Sequence, residues 1–229
     1  MTAGRPGGRG LRIGILGGTF NPIHLGHLRS AEEVCEAQQL DRVLFIPSAS
    51  PPHKGRASLA SATHRLAMVR LAIAGNPRFR VSTIEIDRPG HSYSVDTLRL
   101  LHARLPGARF AFILGIDAFR EIGTWKAYRT IFTLCDLIVT TRPPCEDASL
   151  LAALPVAVRD EFCYRRGGKN LEHRTRNRII FQSISALDIS ASAIRRRLGR
   201  ASSVRYLVPT AVQRYIARHG LYVRKGASR

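Results

Sequence analysis

The sequence has little cysteine, few acidic residues and no long hydrophobic run. Its four cysteines form no Cys-x-x-Cys pair, and their spacing favours reduced thiols of an intracellular protein over a disulfide framework or a zinc site. No apolar stretch approaches the roughly 20 residues that a membrane-spanning helix needs. The first ten residues lack the apolar segment of a secretory signal. We therefore expect a disordered leader over residues 1–10 and a cytoplasmic protein without a membrane partner.

The shortage of acidic residues makes the chain strongly basic. Its 16 Asp and Glu stand against 36 Lys and Arg, which gives a formal net charge of +20. The excess is concentrated in residues 162–229, which carry 16 basic side chains but only Glu172 and Asp188 as acids. Such a charge first suggests a polynucleotide partner. No RNA- or DNA-reading motif accompanies it, however, and GC-rich coding explains the preference for arginine over lysine as easily. We therefore expect no nucleic-acid partner.

Short β-branched runs alternate with helical segments along the chain, which is typical of a parallel sheet with helices on both faces. The predicted strands are Leu11–Leu16, Arg42–Ile46, Phe79–Ile86, Arg109–Leu114, Asp136–Thr141 and Ile179–Ile184. The predicted helices are Leu25–Leu40, Ser61–Ala74, Val95–Leu105, Ala191–Leu198 and Pro209–His219. The stretch Pro143–Asn177 is predicted to be loosely structured. We expect a single α/β domain over residues 11–229, with a small C-terminal helical extension at about residues 179–229.

Ligands of parallel sheets bind at the carboxyl ends of the strands, where loops enter the next helix. This rule selects Gly17–His27, Gly115–Trp125 and the turn after Ile46. The first segment reads G-G-T-F-N-P-I-H-L-G-H. Its glycine spacing is not that of a dinucleotide fingerprint, and the chain contains no G-x-x-x-x-G-K-[ST] phosphate loop.

The segment Gly17–His27 nevertheless has the features of an anion site. Its paired glycines permit close backbone approach, Thr19 offers a hydroxyl, and the helix that follows favours anions at its start. His24 and His27 lie three residues apart, so that both rings can point the same way. Half of a metal site or an incidental surface pair would also explain two histidines. A phosphate-facing role is favoured because all these features share one loop.

A second group of polar residues, D-I-S-A-S-A-I-R, opens a helix near the C-terminus at Asp188–Arg195. Ser190 and Ser192 could be no more than helix caps. Together with the first helical amides and Arg195, however, they form an anion site of triphosphate size. Taken alone, the motif Asp188–Arg195 is weak evidence for an anion site. The presence of the segment Gly17–His27 in the same chain strengthens that interpretation.

These motifs resemble those of the nucleotidyltransferase superfamily, and the Gly17–His27 string is similar to the G-G-T-F-D-P-I-H-x-G-H form of bacterial nicotinate-mononucleotide adenylyltransferases. Further matches follow in order at Ser50–Lys54, His91–Leu98, Gly115–Phe119, Thr124–Trp125, Thr141–Pro144, Ile189–Arg195 and Tyr206–Tyr222. The resemblance thus covers about residues 11–222. It implies a Rossmann-like fold and transfer of AMP from ATP to nicotinate mononucleotide, which yields deamido-NAD and pyrophosphate.

The resemblance also implies a role for each matching residue. The expected catalytic residues are His24, His27 and Arg195. The expected ATP-binding residues are Gly17, Gly18, Thr19, Phe20, Gly115, Asp117, Ile189, Ser190 and Ser192. The expected residues for nicotinate mononucleotide are Asn21, Lys54, Ser94, Trp125 and Arg142. In this scheme the histidines stabilise charge at the α-phosphate, and Asp117 binds the ribose. Trp125 stacks on the nicotinate ring, Ser94 receives its carboxylate, and Lys54 approaches its phosphate.

Four departures from the family pattern stand out: Asn21 replaces the commoner aspartate, Ala191 removes a hydroxyl, and Ser192 and Ser94 each replace a threonine but keep its hydroxyl. Because the motifs contain no acidic cluster, we expect no protein-held metal and a Mg²⁺ ion that arrives with ATP. Two alternatives stay open, namely a related adenylyltransferase for nicotinamide mononucleotide or phosphopantetheine and, more remotely, a basic nucleic-acid-binding protein. A homo-oligomer is also possible.

Overall fold

The structure is a computed structural model that describes residues 10–49, 59–141, 154–164, 170–185 and 187–223. Residues 1–9 of the predicted leader therefore lie outside the described residues, as do Lys54 and Arg142. Within the described ranges, one mixed sheet forms the centre of the molecule, and helices pack on both of its faces.

The sheet has eight strands in the described part of the chain, in the order β3-β2-β1-β4-β5-β8-β7-β6. Their bounds are β1 Arg12–Gly18, β2 Arg42–Pro47, β3 Phe79–Val81, β4 Arg109–Gly115, β5 Asp136–Thr141, β6 Phe162–Tyr164, β7 Leu171–His173 and β8 Arg178–Ser183. The six strands from β3 to β8 in this order are parallel, which confirms the predicted parallel α/β architecture. Strands β7 and β6 add to the edge in antiparallel fashion.

Two of the predicted element boundaries are wrong. The stretch Pro143–Asn177, predicted to be loose, contains β6 and β7, whose three residues each are too few to produce a periodic signal. The strand predicted to reach Ile86 ends at Val81, because the N–H of Asp87 donates to the carbonyl of Thr83 (2.8 Å) and closes a turn.

The helices are α1 Leu25–Ala37, α2 Ala62–Ile73, α3 Ser94–Arg104, α4 Ile116–Arg120, α5 Tyr128–Leu134, α6 Ala191–Leu198 and α7 Thr210–Arg218. Helices α4 and α5 are not among the predicted ones, since five and seven residues hardly exceed one or two turns. Short 3₁₀ segments lie at Ile122–Thr124 and Val156–Glu161.

The core consists of two clusters, one on each face of the sheet. Side chains of successive strand residues point to opposite faces, and accordingly Phe112 joins the cluster beneath α3 and α5, whereas Ile113 joins the cluster beneath α1, α2, α6 and α7. The C-terminal helices contribute Ile194 and Ile216, both almost fully buried. Burial of such a side chain contributes about 1.5–3 kcal/mol to the stability of the fold. The C-terminal extension is therefore held on the same sheet face as α1.

Candidate functional site

The carboxyl ends of the adjacent strands β1 and β4 form the base of the candidate site. Strand β1 ends at Gly18 and β4 at Gly115. A Cβ atom at Gly18 would lie 3.2 Å from the ring of Phe20, closer than most side-chain contacts, so glycine permits this tight turn. Phe20 itself adopts a positive φ of 48° and is buried. Its ring lies edge-on to that of His27, with 5.2 Å between the ring centroids, and thus packs against the histidine side chain.

The two histidines of the first loop stack on each other at the start of α1. His24 is the residue before the helix, and its ring lies 3.6 Å from that of His27 at an angle of 28°. The backbone N–H of His24 donates to Nδ1 of His27 (3.2 Å). Because Nδ1 accepts this hydrogen bond, neutral His27 carries its proton on Nε2. The fold thus sets the tautomer of His27 and leaves Nε2–H as its side-chain donor.

Gly26 brings the start of α1 close to the second motif. A Cβ atom at this position would lie 3.1 Å from Nδ1 of His24 and 3.7 Å from the carbonyl oxygen of Ile189. Any larger residue would therefore press on the histidine stack.

The second motif meets the first loop through an arginine. Nη1 of Arg195 donates to the carbonyl oxygen of Asn21 over 2.8 Å. One turn earlier, Ser190 caps α6, since its Oγ accepts from the N–H of Ala193 and lies 3.2 Å from the Oγ of Ser192. Two helix starts, two hydroxyls and an arginine thereby come together. Such an arrangement favours a multiply charged anion, because helix starts and guanidinium groups both attract negative charge.

The side-chain oxygen of Asn21 connects the first loop to the C-terminal segment. Oδ1 accepts from the hydroxyl of Tyr222 (2.7 Å) and from the N–H of Ala60 (3.1 Å), and the residue is buried. Burial raises the pKa of the Tyr222 hydroxyl well above its ordinary range, so the group is a proton donor at neutral pH. Tyr222 ends the last matching motif, but the sequence does not indicate that it reaches this loop.

A buried arginine beneath the first loop was not identified from the sequence. Arg65 of α2 is 1% exposed, and its guanidinium donates to three carbonyl oxygens: Thr19 (2.9 Å), Ala60 (3.0 Å) and Ala49 (3.2 Å). Burial lowers the pKa of the Arg65 side chain. A signal was available, since Arg65 shares the apolar face of α2 with Met68 and Val69 at helical spacing.

The remaining predicted residues of the ATP side lie at the end of β4. Gly115 precedes α4, and Asp117 stands in the first turn of that helix. Both are exposed, so the Asp117 carboxylate is accessible beside the carboxyl end of β4.

The predicted acceptor side rests on α3 and on the 3₁₀ segment before Trp125. Ser94 is the first residue of α3 and is half-buried. The indole of Trp125, also half-buried, lies edge-on to Phe112 with 6.0 Å between ring centroids. The loop before α3 is tied to the end of β2, because the N–H of Ala49 donates to Oγ of Ser92 (3.0 Å). The contact with Phe112 of β4 thus fixes Trp125 against the sheet.

The part of the chain that the structure describes holds neither a candidate metal centre nor a membrane-spanning helix. Among residues 10–49, 59–141, 154–164, 170–185 and 187–223, no three His, Cys, Asp or Glu side chains are grouped as a metal site would require. Over the same ranges, no helix has both the length and the hydrophobicity of a membrane span.

Comparison with known proteins identifies relatives over nearly the whole chain. Residues 15–197 match the model of the cytidylyltransferase-like family. A protein of Geobacter sulfurreducens described as a probable nicotinate-nucleotide adenylyltransferase is 52% identical over 218 residues, which cover 94% of this chain and all of that protein. A protein of Syntrophotalea carbinolica with the same description is 48% identical over 214 residues, which cover 93% of this chain and 97% of its own length.

A solved structure shows the same fold at lower sequence identity. The Plasmodium falciparum nicotinic acid mononucleotide adenylyltransferase complexed with NaAD superposes with a TM-score of 0.70 at 18% identity. The superposition covers 93% of this chain and 97% of that one. The Rossmann-like architecture predicted from the sequence is thereby confirmed.

Proposed function

The chain belongs to the cytidylyltransferase-like family, and we propose that it is a nicotinate-nucleotide adenylyltransferase, which transfers AMP from ATP to nicotinate mononucleotide. The observation that carries this proposal is the hydrogen bond between Arg195 and the Asn21 carbonyl, which joins the start of α6 to the histidine loop. It places the donors of both motifs around one space. The relatives at 52% and 48% identity support the same activity.

The reaction needs alignment and charge neutralisation rather than a protein base. The phosphate of nicotinate mononucleotide is already an anion and attacks the α-phosphorus of ATP. A P–O bond forms to the acceptor while the bond to the departing pyrophosphate breaks, and deamido-NAD results. Negative charge develops on the α-phosphate and on the leaving group. Fixed donors directed at these oxygens lower the barrier, because they need no reorganisation during the reaction.

His27 and His24 are the proposed donors to the phosphates at the bond that breaks. The backbone hydrogen bond to Nδ1 of His27 orients Nε2–H as a donor. Arg195 uses one of its five N–H groups on Asn21 and has others for the leaving phosphates, together with the hydroxyls of Ser190 and Ser192. Pyrophosphate is thus held at the start of α6 as it departs.

The nucleoside of ATP is proposed to lie along the carboxyl ends of β1 and β4. We propose that backbone groups of Gly17, Gly18, Thr19 and Phe20 contact it from one side, together with Gly115 and Ile189. Because the Asp117 carboxylate is exposed there, it can accept hydrogen bonds from the ribose hydroxyls.

The acceptor is proposed to bind against Trp125, with the start of α3 and Ser94 receiving the nicotinate carboxylate. Lys54 and Arg142 are proposed to contact its phosphate. Since Oδ1 of Asn21 is occupied by Tyr222 and Ala60, we assign Asn21 to the shape of this side rather than to a contact through that oxygen.

A divalent ion, which we take to be Mg²⁺, is proposed to enter as part of the ATP substrate and to neutralise its phosphates. We further propose a cytoplasmic location and a single domain over residues 11–229.

The net charge of +20 would favour the approach of both anionic substrates through long-range attraction, an effect that salt weakens.

The decisive experiment is incubation of the full chain with Mg-ATP and nicotinate mononucleotide, followed by chromatographic detection of deamido-NAD and pyrophosphate. Parallel reactions contain nicotinamide mononucleotide or phosphopantetheine at equal concentration. We expect the highest kcat/KM with nicotinate mononucleotide. A higher value with either of the other acceptors, or the absence of any dinucleotide product, would overturn the assignment.

A further inference from the structure

A second basic cavity lies at the opposite end of the sheet from the candidate active site. It has a volume of about 570 Å³ and opens at the amino ends of the strands. Four neighbouring strands each begin there with a charged residue: Arg12 in β1, Arg109 in β4, Asp136 in β5 and Arg178 in β8. Ligand pockets of proteins have volumes of roughly 300–1,000 Å³, so the cavity is large enough for a nucleotide-sized molecule.

The charges in this cavity are not balanced. The carboxylate of Asp136 is held by Arg178, whose backbone N–H and Nη2 donate to it over 2.8 and 3.1 Å. The Asp41 carboxylate accepts from the backbone N–H of Arg12, not from its guanidinium. Arg176 adds a further guanidinium to the lining. Among the described residues, no carboxylate pairs with the side chains of Arg12, Arg109 or Arg176.

The register of the sheet places two of these arginines side by side. Arg12 and Arg109 are direct partners in the parallel pairing of β1 and β4. Neighbouring strands lie roughly 4.8 Å apart, and like charges directly opposite each other are destabilising. An anion bound between the two guanidinium groups would remove this repulsion and receive forked hydrogen bonds from both.

Part of the cavity wall is apolar. His102 packs edge-on against Phe110 with 4.8 Å between ring centroids, and its Nε2–H donates to the carbonyl of Leu134 (2.8 Å). Phe110, Leu134 and Ala108 line the cavity beside the arginines. Such a wall suits a flat organic group next to a charged one, as in a nucleotide.

We propose that this cavity is a second anion site, separate from the active site, that binds a phosphate-bearing small molecule with at least two negative charges. Arg12 and Arg109 bind the phosphates from adjacent strands, and Arg176 adds a third cationic group. Nucleotides and inorganic polyphosphate share this chemistry, and the two sources are separated by the probes below.

The test is calorimetric titration of the full-length chain with pyrophosphate, tripolyphosphate, ADP and adenosine at low and physiological salt. Because the proposed active site also binds phosphates, its affinity is first lowered by the substitutions His24→Ala and Arg195→Ala. Two proteins are then compared in this background, one with Arg12 and Arg109 intact and one that also carries Arg12→Gln and Arg109→Gln. We expect the arginine pair to account for one binding event, and its loss to weaken affinity for tripolyphosphate by roughly tenfold or more. Tighter binding of ADP than of pyrophosphate would identify a nucleotide, and equal binding an inorganic polyanion.

A matched variant controls for the overall charge of the protein. Arg70→Gln/Arg218→Gln removes the same two charges from exposed positions of α2 and α7. An equal loss of affinity in this control, or unchanged binding in Arg12→Gln/Arg109→Gln, would overturn the proposal.

A second readout uses the otherwise unaltered chain. Tripolyphosphate should raise the melting temperature of Arg12→Gln/Arg109→Gln less than that of the wild type, while adenylyl transfer keeps its kcat. An equal rise in both proteins would likewise refute a site at this pair.

Discussion

The guanidinium of Arg65 donates to the carbonyl oxygen of Thr19 across 2.9 Å, and this contact links the middle of the fold to the loop that holds the histidines. The same group donates to Ala49 and Ala60, so three loop segments converge on one buried side chain. A cation that bonds only to backbone oxygens fixes the course of these segments. Arg65 is therefore a positioning residue for the candidate active site.

Replacement of Arg65 should impair both the stability and the activity of the protein. Arg65→Met keeps the length of the side chain but leaves three carbonyls without their donor, so we expect about 1–3 kcal/mol less stability. A shifted loop should also lower kcat/KM by roughly 10- to 100-fold. Arg65→Lys should recover part of the activity, because one donor and the charge remain. Arg70→Met, on the exposed side of the same helix, should change neither quantity. Denaturant unfolding and steady-state kinetics measure both.

The His27 side chain should act mainly in the transition state. His27→Ala removes the Nε2 donor, and we expect kcat to fall by roughly 10²–10³ with a much smaller change in the KM for ATP. His27→Gln retains an N–H donor at a similar reach and should keep more of the activity. A kcat within about threefold of the wild type for His27→Ala would contradict the assigned role, provided that the melting temperature is unchanged.

Asn21 should tolerate the aspartate that is commoner in the resembling family. A carboxylate oxygen can accept from Tyr222 and Ala60 just as the present amide oxygen does, and Arg195 lies beside it. We therefore expect Asn21→Asp to retain stability and kcat. Asn21→Leu, which loses both hydrogen bonds, should destabilise the fold by about 1–3 kcal/mol. Thermal unfolding distinguishes the two variants. Equal destabilisation of both would show that the hydrogen bonds accepted by Oδ1 do not account for the stabilising effect of Asn21.

The Glu161 carboxyl should make the stability of the β6–β7 region depend on pH. A hydrogen bond from His173 (3.0 Å), aided by Arg174 and Arg129, holds the pKa of this carboxyl below its ordinary value. Ionised Glu161 therefore stabilises the fold fully above that ordinary value of about 4.3, and the effect is lost as pH falls through the lower folded-state pKa.

Glu161→Gln measures this contribution. The variant should be less stable than the wild type at pH 7, and the difference in unfolding free energy should shrink below about pH 4. Glu172→Gln, on the neighbouring strand, serves as the matched control. A difference that stays constant from pH 7 to pH 3 would contradict the interpretation.

Local patterns in the sequence were sufficient to predict the parallel sheet and to select the two segments, Gly17–His27 and Asp188–Arg195, that the structure brings together. Strands such as β4 are continuous apolar runs, and glycines and serines mark the loops where strands turn into helices. Strands β6 and β7 escaped prediction because three residues carry no period. Their position is set by pairing with β8, a tertiary effect that local propensity does not encode.

The contacts that shape the candidate site were less predictable than its motifs. The hydrogen bond of Tyr222 to Asn21 joins residues 201 positions apart, and no local pattern announces it. Arg65 is different, since a charged residue on an apolar helix face is a visible anomaly. Such anomalies identify buried polar groups but not the carbonyls that they bind.

The hydrogen bond from Tyr222 has a consequence for biosynthesis. The N–H of Leu25 likewise donates to the carbonyl of Leu207 (3.0 Å), so the earliest loop of the chain is held from two points near its end. On the ribosome, Asn21 of the histidine loop is made 201 residues before Tyr222, which bonds to it. A nascent chain can therefore form its parallel sheet while the histidine loop still lacks those two contacts. Catalytic competence should therefore appear only once the segments around Leu207 and Tyr222 have been made and have reached the histidine loop.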